Sequence, residues 1–301
     1  MNQNENRREK ELAAQAVDEI PVNKHKHYTA GQIFWKVLKY AFLILVSLCT
    51  LIPIVVVVLG SFKTQAEFLH GNVFALPKSW SFENYKTAFI DGGMLEGFRN
   101  TGFILIVSML GKIFFGAMFA YAVNRFDFKL KKPIMTLFLL AMLIPAIASQ
   151  VATFQIINGM GLFDTIWSVI LLNLGTDAMS IYIFLQYLRE IPYSLDEAAL
   201  LEGATYFQIF RKVIMPLLKA PIVTIIIISG VGIYNDFYNP LLYMPDDSLK
   251  VISTALYAFK GPYGTNWPVI LAGVIIVMLP ILILFLTCQK YIYNGVSGAV
   301  K

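Results

Sequence analysis

The sequence predicts an all-α membrane protein with six transmembrane helices, and three observations carry that reading. Of its 301 residues, 57% are hydrophobic and only 14% charged, at a mean hydropathy of +0.64, which is too apolar for an ordinary soluble domain. Six apolar runs reach or approach the ~20 residues that a helix needs to cross a bilayer. Lysine and arginine are shared unequally between the two sets of connecting segments, as the positive-inside rule requires of a multi-pass chain.

In chain order, residues 1–35 are polar and charged, have no apolar run ending in small residues, and read as a cytoplasmic N-terminal tail without a signal peptide. Residues 36–60 hold the first span, about Val37 to Gly60, and residues 61–98 form an external segment. Residues 99–290 hold five more spans: about Asn100 to Val123, Pro133 to Ile156, Thr165 to Tyr187, Pro221 to Tyr238 and Trp267 to Gln289. Residues 291–301 are a C-terminal tail. Each of these runs is expected to be one helix, kinked where Pro53, Pro145 and Pro280 remove a backbone donor. The fifth is the shortest, because it leads into Asn235, Asp236 and Pro240.

Six spans put both termini on one side. Of the 24 Lys and Arg residues, 17 fall in residues 1–39, in Arg125 to Lys132, in Arg189 to Lys219 and at the C-terminus, which makes that side cytoplasmic. Six face the other way (Lys63, Lys78, Lys86, Arg99, Lys250 and Lys260), and Lys112 lies inside a span. The net charge of +5 is thereby a topology signal and gives no support for nucleic-acid binding.

Some chemistry is missing. His25, His27 and His70 lie outside the spans, so a membrane-embedded zinc or histidine hydrolase has neither ligands nor base there. No G-x-x-x-x-G-K-[ST] phosphate loop occurs, so ATP hydrolysis would fall to another chain. Cys49 and Cys288, in the first and last spans, suit apolar packing better than a disulfide or metal pair.

Between the fourth and fifth spans, Glu197 to Pro221 reads as a short cytoplasmic helical hairpin. Ser194 and Glu197 have capping-box spacing after Pro192, which starts a helix near Leu195. Gly203 ends it, being free to turn left-handed, and Thr205 with Gln208 repeats the capping box for a second helix. On that helix Tyr206, Ile209, Phe210 and Val213 make an apolar face opposite Gln208, Arg211 and Lys212. Ala198 and Ala199 leave the first helix nearly bare beside the Glu197 carboxylate, a surface that suits insertion into another protein's groove.

This hairpin resembles the EAA loop of the permease subunits of ATP-binding-cassette importers. The family pattern of EAA, a glycine and an apolar-x-apolar-Pro step is met by Glu197, Ala198, Ala199, Gly203, Val213, Met215 and Pro216. The likeness runs from about residue 35 to the end. Ser61 to Phe68 and Ala75 to Lys86 resemble the external segment of maltose-type carbohydrate permeases, Gly161 to Thr165 the turn before their fourth span, and Asn235 to Phe237 with Pro240 to Leu242 the end of their fifth. The C-terminus resembles the second of their two permease subunits. Tyr234 stands where that family often has Trp, and Lys112 and Asp177 are unusual charges for those spans.

The resemblance implies a second permease subunit, two ATPase subunits that bind ATP and Mg²⁺, an extracellular substrate-binding protein, a bacterial cell membrane, and no cofactor or catalysis in this chain. It assigns ATPase coupling to Glu197, Ala198, Ala199, Gly203, Arg211 and Pro216. Glu197 has a second reading as a pure helix cap. The translocation-path candidates are Lys112, Asn173, Asp177, Tyr234, Asn235 and Tyr238. Lys112 is ~18 Å from either end of its span, too deep to snorkel with ease. It and Asp177 face the path, pair with each other, or bond the partner subunit. Asn173, Asn235, Tyr234 and Tyr238 supply the amides and rings that sugars favour, though interfacial tyrosines also form aromatic belts. The expected cargo is a sugar or oligosaccharide, with a polyol or glycerol-phosphate-type solute as the alternative. A membrane enzyme or ion channel would lack a use for the docking hairpin.

Overall fold

The structure is a computed structural model that describes residues 30–175, 177–261 and 264–298, so most of the N-terminal tail lies outside the described residues. The chain divides into two units, one ending at Ile54 and one beginning at Val55. Helix α1, Ala30–Ser61, supplies the described part of the first unit, where its apolar side chains are exposed. Cys49 is a free cysteine on α1; the side chain of Cys288 lies outside the described residues.

The second unit is organised around α4, Met94–Arg125, which follows two short helices, α2 (Gln65–His70) and α3 (Glu83–Asp91). A Thr64–Glu67 capping box starts α2, and the Thr64 backbone N–H holds the Glu67 carboxyl below the ordinary glutamate value. Lys63 is buried nearby, its ammonium donating to the carbonyls of Asn72 at 2.8 Å and Val73 at 3.0 Å.

Beyond α4 come α5 (Lys131–Met142), α6 (Ala146–Gly159), α7 (Ile166–Leu174), α8 (Ala178–Glu190), α9 (Ser194–Leu201), α10 (Tyr206–Ile209), a π turn at Phe210–Ile214, α11 (Met215–Leu217) and α12 (Lys219–Asn235). After α13 (Tyr238–Tyr243) and α14 (Ile252–Ala255), the last described helix is α15, Trp267–Gly298. Helix α4 packs chiefly against α7 and α8, and also against α12 and α14. Its buried side chains, from Ile104 to Val123, form the core with Phe184, Leu188, Ile209, Ile214 and Ile225. Among the described residues the architecture is helical apart from one antiparallel pair of two-residue strands, Lys260–Gly261 with Gly264–Thr265.

Among the described residues, four helical segments are long and apolar enough to span a membrane, and up to six if each of two bent pairs counts as one span. Two expected spans are not single helices. The third breaks after Met142 and turns by 111° into α6, because Pro145 supplies no backbone donor and biases Ile144 away from helix. The fourth is interrupted between Leu174 and Ala178, where Asp177 caps a fresh helix with its side chain on the Ser180 N–H at 2.7 Å. The fifth is one helix, starting at Lys219, 74° from the segment before it, and stopping at Asn235, short of the expected Tyr238.

Candidate functional site

The hairpin departs from its expected cap. Helix α9 begins at Ser194 on the carbonyl of Tyr193, which accepts from the N–H groups of Asp196 at 3.0 Å and Glu197 at 3.1 Å, with no side-chain cap. Ser194 is therefore inside the helix, and Glu197 is exposed and not a cap. The reason is tertiary. Tyr193 is held in helical conformation by its hydroxyl, which donates to the carbonyls of Arg125 at 2.7 Å and Asn124 at 3.0 Å, and by the Arg125 guanidinium 4.4 Å above its ring.

The rest of the hairpin has the expected local chemistry. Gly203 lies at φ +83° with open space around it, and the Thr205–Gln208 capping box is formed. Ile209 and Phe210 are buried and Gln208, Arg211 and Lys212 exposed. The π turn rotates the following residues, so that Ile214 is buried and Val213 only half-buried. An aromatic seam of Tyr121, Phe126, Tyr206 and Phe210 joins this second helix to the end of α4. Ala198 is exposed, Ala199 is packed on the core, and Pro216 is exposed in α11. Leu201, which the sequence reading passed over, is 91% exposed at the tip.

Asp196, also passed over, is the residue that anchors the hairpin. Its carboxylate lies 3.0 Å from Nη2 of Arg125, with the two side chains 6% and 4% exposed. The Tyr121 hydroxyl donates to the other carboxylate oxygen at 2.7 Å, and Arg125 Nη2 also donates to the Ile191 carbonyl at 3.1 Å. The Arg125–Asp196 contact is off the line of a hydrogen bond, so among the described residues Oδ2 accepts none and the pair is held by charge.

Of the path candidates, two are brought together. Lys112 donates to Asp177 at 2.7 Å, with the side chains 10% and 43% exposed. The open side of Asp177 lines a cavity of about 170 Å³ with Met142, Ser180, Ile225 and Ser229, between the broken third and fourth runs and α12. The other four are not gathered there. Asn173 donates to Val169 on its own helix, the Tyr234 hydroxyl to the Val277 carbonyl of α15, Asn235 is exposed at the end of α12, and Tyr238 bonds Gln150.

Comparison with known proteins places this arrangement. The pattern of the family described as "Binding-protein-dependent transport system inner membrane component" matches residues 112–298. The chain is 34% identical over 263 residues, 86% of itself and 94% of the relative, to the "Probable starch degradation products transport system permease protein AmyC" of Thermoanaerobacterium thermosulfurigenes. It is 30% identical over 264 residues, again 86% and 94%, to the "Arabinooligosaccharides transport system permease protein AraQ" of Bacillus subtilis (strain 168). A chain from a "bacterial ABC transporter involved in the import of the acidic polysaccharide alginate" shares the fold at a TM-score of 0.77 and 22% identity, over 88% of this chain and 98% of that one. This chain therefore belongs to the binding-protein-dependent transport system inner membrane component family.

Proposed function

We propose that the chain is one of two permease subunits of an ATP-driven importer of a sugar or oligosaccharide in a bacterial cell membrane. The observation that carries the coupling part is the hairpin: a short helix presenting Glu197, Ala198 and a bare Leu201, turned at a left-handed Gly203 and fixed from behind by a buried ion pair. That surface suits a groove on an ATPase subunit. In this reading each bent pair is one span, giving six, with both termini and the hairpin cytoplasmic on the charge bias of the connecting segments. A second permease subunit completes the path, an extracellular binding protein delivers the solute, and two ATPase subunits bind ATP and Mg²⁺. This chain holds no cofactor and performs no catalysis.

The relatives named for starch degradation products and arabinooligosaccharides support a carbohydrate cargo. A polyol or glycerol-phosphate-type solute remains the alternative on the same architecture. Closure of the ATPases would push the hairpin and rock the attached helices between outward- and inward-facing states. Arg211, exposed on the second hairpin helix, offers the ATPase a cation, and Pro216 ends the docking segment before the bend into α12.

The test is ATP-dependent uptake of labelled oligosaccharides in vesicles holding the complete importer, comparing wild type with Glu197→Lys plus Gly203→Asp. The variant is expected to assemble, hydrolyse ATP without solute control, and move no sugar. Normal uptake by it would end the coupling assignment. A Leu201→Cys chain should react with a membrane-impermeant maleimide only from the cytoplasmic face; labelling from outside would reverse the topology.

A further inference from the structure

Two polar clamps join α4 to α8, one at each end of α8. At its start, the capping residue Asp177 pairs with Lys112 at 2.7 Å. Past its end, Ile191 O accepts from Arg125, and Asp196 in the next helix takes the same guanidinium and the Tyr121 hydroxyl. The spacing matches on both helices: Lys112 and Arg125 are 13 residues apart on α4, and α8 is 13 residues long, ~20 Å at 1.5 Å per residue. Between the clamps α4 buries the small residues Gly116, Ala117 and Ala120, and α8 buries Phe184, Leu185 and Leu188. Small residues allow close approach of two helices in a membrane.

Beyond each clamp the backbone breaks or turns. The run is interrupted between Leu174 and Ala178 at one end, and turns at the left-handed Gly203 at the other. Buried ion pairs are weak sources of stability, since well-packed apolar residues often do as well or better; the property they supply is a fixed position. Resting on the coupling reading above, we propose that Tyr121, Arg125 and Asp196 are positioning residues that lock the first hairpin helix to α4. The lock makes α4, α8 and α9 one rigid lever, with its bending points outside the clamps. Load applied at Leu201 then reaches the Asp177 cavity without being absorbed by flexing at Ile191 to Tyr193.

The experiment uses the complete importer in vesicles, with Cys49 and Cys288 replaced by Ser. Spin labels are placed on Asp127→Cys, just beyond α4, and on Ser194→Cys, both exposed positions. The label separation is expected to be the same without nucleotide and with trapped ATP, and a separation that changes between the two states overturns the lever. Asp196→Asn keeps an acceptor for Tyr121 but drops the charge. It is expected to assemble and hydrolyse ATP, to broaden the label distances, and to lower sugar moved per ATP by about tenfold or more, the scale of losing a buried charged partner. Unchanged transport by Asp196→Asn also overturns the proposal. Should that variant not assemble, the wild-type label pair decides alone. A Leu201→Arg control separates the two readings: if it loses transport while Asp196→Asn does not, the lever fails and coupling stands; if it transports normally, coupling itself fails.

Discussion

Lys112 and Asp177 are unequal partners, and their inequality is measurable. Lys112 is almost wholly enclosed, whereas Asp177 faces the cavity and keeps the Ser180 N–H when the lysine is gone. Asp177→Asn strands a buried cation, a loss on the scale of about 3–5 kcal/mol for a broken buried pair, while Lys112→Met strands a half-exposed carboxylate and costs less. Thermal unfolding in detergent should rank wild type, Lys112→Met and Asp177→Asn in falling order, with the double variant above the sum of the two losses. Depth alone made these two charges legible in the sequence, because a lysine so far from either interface needs a partner. Asp196 was not legible in the same way. An acid in the first turn of a helix already has an explanation in the helix dipole, and nothing local points to an arginine two helical runs earlier. For the same reason the Ser194–Glu197 spacing misled: a true capping-box pattern lost to Tyr193, which is held in place from outside the hairpin.

Among elements, existence was more legible than continuity. Six apolar runs are visible by length, but the 111° turn at Leu143 to Pro145 and the interruption before Ala178 depend on whether neighbours satisfy the freed backbone groups. Close packing of α4 on α14 was likewise invisible, since it rests on a glycine without a turn. A Cβ at Gly97 would lie 3.2 Å from the N and Cα of Ile252 and 3.3 Å from the Val251 carbonyl carbon. Those are backbone atoms that cannot rotate away, and Thr101 one turn on holds the Ile252 N–H at 2.9 Å. Alanine would gain up to ~1 kcal/mol in helix propensity but lose about 1–3 kcal/mol to overpacking, so the clash wins. Gly97→Ala should lower the melting temperature, whereas Gly102→Ala, with nothing within 4 Å, should leave it unchanged or raise it.

At the scale of the molecule, the distribution of Lys and Arg and the EAA pattern carried most of the functional reading, because both are encoded in short stretches of chain. The cargo was not, since in the proposed importer its contacts would be shared with a second subunit and with a binding protein. The anchor of the hairpin also has a history in time. Tyr121 and Asp196 are 75 residues apart, so at ~5–20 residues per second the ribosome needs about 4–15 s to deliver the second after the first. Throughout that interval Arg125 lacks the Asp196 carboxylate, and α4 must wait without the fastening at its C-terminal end. Nascent chains halted before Asp196 should accordingly be degraded faster by membrane proteases than chains halted after Gly203. A pulse-chase on the two truncations, with equal half-lives as the contrary result, reads out whether this ion pair is also a checkpoint in the protein's synthesis.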